Sequence, residues 1–155
     1  MKTISVYLRN GKINPSNYYR ITQIFNDAGI KYREIKSAPD KLYSESLNSS
    51  SRVKRIVNKI ILTVVINFNI VKSLTYDYFH KTDILIVQRE ICPRYMPVIC
   101  YAMLKACVKN GTELVWDFDD DIFLDKEISK RESDLLIQNA QQIVVTSQYL
   151  INKLP

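Results

Sequence analysis

The run Asp83-Ile84-Leu85-Ile86-Val87-Gln88 decides the fold. Its branched aliphatic residues follow one another with no polar alternation, so a strand built from them has no solvent face. Such a strand belongs in a parallel sheet with helices layered on it. Working outward toward the N-terminus, residues 52–79 read as one long helix. It is basic in its first turns (Arg52, Lys54, Arg55, Lys59) and apolar afterwards. Residues 36–51 are polar and Ser-rich and read as a connection. Residues 31–35 alternate as a strand, and residues 3–8 form a β-branched and aromatic strand. Between these two strands, Asn14-Pro15-Ser16-Asn17 starts a helix that carries Tyr18, Ile21, Ile24, Phe25 and Ala28 at helical spacing. Gly29 stands where a helix C-terminal glycine belongs. Toward the C-terminus, a helix over 97–109 ends at Asn110-Gly111, and a strand covers 113–118. Another helix covers 129–139, with Glu132 three residues after Ser129 as in a capping box. A last strand spans 142–146, and Ser147 caps a final helix over 148–154.

Strands alternating with helices in this way define an α/β fold: a Rossmann-like, doubly wound, mainly parallel sheet of about five strands with helices on both faces. Its 155 residues fit a single domain, 1–155. In such sheets ligands sit beyond the C-terminal ends of the strands. The loops to watch are therefore 9–17, 88–96, 117–128 and 146–148.

Composition narrows the function. With 46% hydrophobic and 25% charged residues the chain suits an ordinary globular domain, and 3 glycines argue against a Gly-rich phosphate loop. Residues 1–80 hold 13 Lys+Arg against 5 Asp+Glu, whereas residues 81–155 hold 9 against 11. A basic first half points to an anionic partner or to a well-solvated surface. Cys92, Cys100 and Cys107 show no metal-binding spacing and the single histidine is His80, so buried free thiols in a reducing compartment are expected, with no metal and no cofactor. Met1-Lys2 runs directly into the first strand, which predicts no secretory leader. Ile60 to Val71 is uncharged over 12 residues but is broken by Asn67 and Asn69. A spanning helix needs roughly 20 apolar residues, so this stretch reads as buried or interfacial. The basic turns 52–59 could rest on an anionic bilayer or form a solvated helix face. They lack interleaved aromatics, which ranks nucleic acid low as a partner.

Three groups of residues could carry chemistry. Leu114-Val115-Trp116-Asp117-Phe118-Asp119-Asp120-Asp121-Ile122-Phe123 brings four carboxylates to a strand end. Like charges this close are costly unless cations or N–H groups offset them. They suit a divalent metal, a general base or the orientation of sugar hydroxyls; alternatively they form an acidic loop paired with Lys126, Lys130 or Arg131. A phosphatase-like reading would need Asp117 and Asp119 to share a cation, but Asp121 stands where that pattern expects Thr or Val. The buried strand 83–88 delivers Gln88, Arg89 and Glu90 to the ligand edge, where Arg89 suits phosphate or carboxylate, or else a structural ion pair. Asn17, Tyr19 and Arg20 lie near the start of the first helix, where backbone N–H groups favour anions, though ordinary capping and core tyrosines would use the same residues.

Together, Pro15-Ser16-Asn17-Tyr18-Tyr19-Arg20, Asp83 to Arg89, Val115 to Phe123 and Ile143-Val144-Val145-Thr146-Ser147-Gln148-Tyr149-Leu150 resemble bacterial GT-B glycosyltransferases of the group-one, family-four kind. The resemblance implies the N-terminal, acceptor-binding domain of an enzyme that moves a sugar from a nucleotide-sugar to a glycan or lipid-linked acceptor, without a required metal. It implies a cytoplasmic location, including the inner face of the membrane, and a role in polysaccharide assembly. Asp119 or Asp120 would orient or deprotonate the acceptor hydroxyl, and Asn17, Tyr19, Arg20, Arg89 and Glu90 would bind substrate. Relatives of this kind often have a His near the fourth strand's end, where this chain has Asp. They also continue past the position of Leu154-Pro155 into a donor-binding domain. The expectation is therefore a domain that binds nucleotide-sugar only when that second half is supplied and that transfers no sugar alone. The alternative is a non-catalytic α/β module that binds a partner protein or a membrane surface.

Overall fold

The computed structural model describes residues 2–9, 18–48, 51–124 and 126–154. Five parallel strands, β1 (Ile4–Leu8), β2 (Arg33–Lys36), β3 (Ile84–Gln88), β4 (Glu113–Phe118) and β5 (Gln142–Val145), form one sheet in the order β2-β1-β3-β4-β5. The chain leaves β1 toward one edge and returns at β3 to build the other half. The strand order therefore reverses between β1 and β3, the place where doubly wound sheets open a crevice.

Helix α1 begins as a π-helical turn (Tyr18–Thr22) and continues as a short α-helix (Gln23–Asp27). Gly29 follows with φ +66°, the left-handed conformation expected of a helix-terminating glycine. The predicted start of this helix at 14–17, Asn17 included, lies outside the described residues. Helix α2 (Asp40–Asn48) occupies most of the stretch read as a polar connection. That reading is corrected by tertiary docking: Leu42, Tyr43 and Ser46 face the body of the domain, and Asn58 donates to the Glu45 carbonyl oxygen. Packing supplies here what a Ser-rich sequence lacks in helix propensity. Helices α3 (Arg52–His80), α4 (Val98–Lys109), α5 (Lys130–Asn139) and α6 (Gln148–Ile151) complete the fold; α6 is shorter than predicted.

The two faces of the sheet are unequal. Tyr7, Leu85, Val87, Leu114, Trp116 and Phe118 point into a large core with Leu62, Ile66, Ile70 and Leu74 of α3, Leu104 of α4 and Leu136 of α5. Among the described residues the opposite face buries a small apolar cluster of Val6, Leu8, Ile86 and Ile21, and α1 covers it. Each buried branched side chain contributes roughly 1.5–3 kcal/mol relative to exposure, so the large cluster dominates stability. Cys92, Cys100 and Cys107 are buried free thiols within it. At the N-terminal edge, the fully buried Asp77 carboxylate accepts from Ser5 Oγ (2.6 Å), Tyr7 Oη (2.5 Å), Thr82 Oγ1 (2.6 Å) and Arg33 (2.5 Å). It thereby ties β1, β2 and α3 together, and burial with the nearby Asp77 charge pushes the Tyr7 hydroxyl well above its ordinary pKa.

Candidate functional site

Arg9 directly follows β1, Arg89 and Glu90 directly follow β3, and Asp117 to Asp121 finish β4 and run past it. All lie at the C-terminal edge, around the switch point. Parallel register sets Gln88 beside Asp117 on the face covered by α1, and α1 delivers Arg20 there. Arg20 holds Asp117 through two hydrogen bonds, Nε to Oδ2 at 3.1 Å and Nη2 to Oδ1. This planar, two-pronged arrangement is the one a guanidinium offers a carboxylate. It also occupies both oxygens of Asp117, so the phosphatase-like reading, in which Asp117 and Asp119 share a cation, has lost its first ligand.

A second assembly lies beside it. Glu127, in the loop before α5, accepts from Arg9 Nη1 (2.8 Å) and Arg89 Nη2 (2.5 Å) through one oxygen. Arg89 also pairs with Asp120 through Nη1. Arg9 Nε lies 3.0 Å from Glu90 Oε1, an ion pair without hydrogen-bond alignment, and Arg89 Nε lies 4.0 Å from Glu90 Oε2. Burial works against the charges on Arg9 and Arg89, but the surrounding carboxylates more than offset it and raise both pKa values. On Arg20 the bond to Asp117 is the main cause of the same upward shift. Glu127 moves down despite partial burial, because both arginines stabilise its anion. Glu90 moves the other way: burial pushes its carboxyl up to about 7, against the pull of Arg9 and Arg89. Its side chain has no exposed surface, so Glu90 acts on anything outside only through the two arginines.

The backbone marks the same place. Arg89 has φ +66°, a conformation uncommon for a residue with a side chain. It is held there by its N–H to the Asp117 carbonyl (2.7 Å) and by the Trp116 indole N–H to its own carbonyl (2.7 Å). The Gln88 amide is fully buried, and among the described residues neither its oxygen nor its nitrogen finds a hydrogen-bond partner. Buried polar groups are almost always paired, so this amide stands out, but with no exposed surface it meets no ligand directly.

The structure thus gathers Arg20, Arg89, Glu90 and Asp120 at one edge, with Asp119 in the adjoining loop and Tyr19 exposed on α1. Asp121 is drawn away from them, accepting from the Leu124 N–H (3.1 Å) and from Tyr149 of α6 (3.4 Å). Among the described residues no three Cys, His, Asp or Glu side chains gather as a metal-holding group. His80 accepts no such role: its Nδ1 contacts the Tyr76 carbonyl and its ring stacks on Tyr76, away from the site. Sequence reasoning did not single out Arg9 or Glu127, and it read Glu132 only as half of a capping box. The first two lie in loops flagged by the strand-end rule, and only their position in those loops could have picked them out. Glu132 is fully buried, and its carboxylate accepts from Ile91 N (2.5 Å) and Cys92 N (3.3 Å), pinning the loop that follows Arg89. Burial pushes it up to about 8. Ser129 does cap α5 by accepting from Glu132 N (3.3 Å), but the reciprocal half of the capping box is absent because the carboxylate is used on that loop.

A groove of about 260 Å³ leads away from Arg9 between α2, α3 and the loop at 93–95, lined by Tyr43, Lys59, Leu62, Arg94 and Tyr95. A larger hollow of about 460 Å³ opens at the opposite edge, around Arg33 and Tyr76. There Arg33 is already committed to Asp77 and stacked over Tyr76, so that hollow surrounds a structural knot.

Fold and site define an α/β domain of the doubly wound kind with an arginine–carboxylate site at its switch point. No protein-family model, no characterised protein and no solved structure matches the chain. The functional reading therefore stands on residues and geometry.

Proposed function

We propose that this domain is the acceptor-binding half of a nucleotide-sugar-dependent glycosyltransferase, with a glycan or a lipid-linked saccharide as acceptor. The observation that carries the reading is the convergence of Arg20–Asp117, Arg89–Asp120 and Arg9–Glu127 on one strand edge at the switch point. A polyhydroxyl ligand fits these groups, because its hydroxyls exchange with ion-paired carboxylates and guanidiniums. Asp120, the most exposed member of these pairs, is the group that orients or deprotonates the attacking hydroxyl, aided by Asp119. Arg20, Arg89 and Glu90 hold the site's shape, and a second domain supplies the donor.

Two-dimensional NMR of the purified chain, titrated with oligosaccharides and with an isoprenyl phosphate in detergent, tests this. Shifts should cluster at residues 9, 20, 88–90 and 117–120, and Arg89→Gln should weaken binding by at least tenfold. A titration that leaves these residues unmoved, or turnover of any nucleotide-sugar by the chain alone, overturns the proposal.

A further inference from the structure

The first turns of α3 do something no other helix does. The helix has 29 residues, about 43 Å of length, whereas strands of 4–6 residues span about 13–20 Å. Its buried residues are Leu62, Ile66, Ile70, Leu74 and Asp77, so residues 52–61 bury no side chain in the core, although Asn58 still donates to the Glu45 carbonyl of α2. The helix leads into the N-terminal end of β3, so its first half lies toward the opposite, C-terminal edge. Lys59 accordingly lines the same groove as Arg9.

At 3.6 residues per turn, Val53, Val57, Ile60, Val64 and Phe68 share the face opposite Leu62 and Ile66. They are 46–70% exposed, a row of large apolar side chains turned away from the core. Arg52 and Lys54 flank that row on either side, Arg55 and Lys59 lie toward the side of Leu62 and Ile66, and no acidic residue occurs in the helix before Asp77. By length and composition α3 could cross a membrane. Its second half, however, is packed into the core of the domain, which leaves an interfacial position for the first half.

We propose that residues 52–68 of α3 dock on an anionic lipid bilayer, with the apolar row among the acyl chains and the flanking cations among the headgroups. Charge decides the occupant. A bare apolar row would suit another protein, and a second copy would bring two basic flanks together, whereas an acidic membrane surface satisfies both features at once. The docked helix places the membrane at the edge that carries Arg9, Arg20 and Arg89. The inference goes beyond the acceptor reading and does not need it.

Cosedimentation of the purified chain with vesicles of equimolar phosphatidylcholine and phosphatidylglycerol, and with phosphatidylcholine alone, tests the proposal. The chain should pellet with the anionic vesicles only. Arg52→Gln with Lys54→Gln should weaken partitioning by roughly 25-fold, about fivefold per charge. Ile60→Asp should abolish it with circular dichroism and Tm unchanged. Absence of binding to anionic vesicles at low salt, or equal binding to neutral ones, overturns the proposal. So does a dimer in light scattering that Ile60→Asp converts to monomer, since the face then belongs to a second copy. None of these outcomes bears on whether saccharides shift the residues around Arg89.

Discussion

Glu132 carries the sharpest lesson at the scale of single residues. Its spacing from Ser129 suggests a solvent-facing capping box, yet the carboxyl is wholly buried and accepts the N–H groups of Ile91 and Cys92. Spacing along one helix could identify the cap; it could not identify a partner 40 residues away. Burial raises this carboxyl to about 8, above its value in the unfolded chain. The native state therefore binds the proton more tightly, and stability falls as pH rises from about 4.5 through about 8. In Glu132→Gln the amide oxygen still accepts from Ile91 while the charge is gone. Thermal unfolding across that range should show a flatter decline for the variant and a gain of up to about 5 kcal/mol at about pH 9. Equal slopes in the two proteins would mean that Glu132 does not titrate there.

Among the elements, periodicity predicted most and tertiary docking the rest. The strands at 83–88 and 113–118 were legible because a buried parallel strand must be apolar, and the observed bounds, Ile84–Gln88 and Glu113–Phe118, agree within a residue. Helix α2 was hidden because Ser44 and Ser46 read as loop residues, although their hydroxyls bond back to the Lys41 and Tyr43 carbonyls within the helix. Helix α3 was legible as a helix, but its buried and exposed parts were not separable by hydropathy alone, since Ile60 and Ile66 are the same residue type. Structure divides them: Ile66 is buried against the core and Ile60 is 60% exposed. Leu74→Ala, at a position with no exposure, should cost about 2–5 kcal/mol in urea unfolding, whereas Ile60→Ala should stay within about 0.5 kcal/mol. A large loss at Ile60 would mean that the first turns of α3 support the fold.

Over the whole molecule, part of the charge imbalance resolves internally. The basic first half suggests an external anion, yet Arg9 and Arg20 from that half pair with Glu90, Glu127 and Asp117 from the acidic second half. The Arg9–Glu127 bond closes 118 residues of chain, a distance at which no local pattern carries information, which is why this part of the site stayed unread. The basic start of α3 is the segment proposed to meet a membrane. The internal pairs hold three strand ends in register, so Arg9 matters as a joint more than as a surface charge. Arg9→Ala leaves the buried Glu90 with only Arg89, 4.0 Å away, and should cost about 3 kcal/mol, the usual scale for stranding one member of a buried pair. Losing a cation also drives the Glu90 carboxyl above about 7, so the decline in stability with rising pH extends to higher pH than in the parent chain. The double variant Arg9→Ala/Glu90→Gln removes the stranded charge and should recover most of the loss. A double variant no more stable than Arg9→Ala would show that Arg9 works through Glu127 and packing, and not by neutralising Glu90.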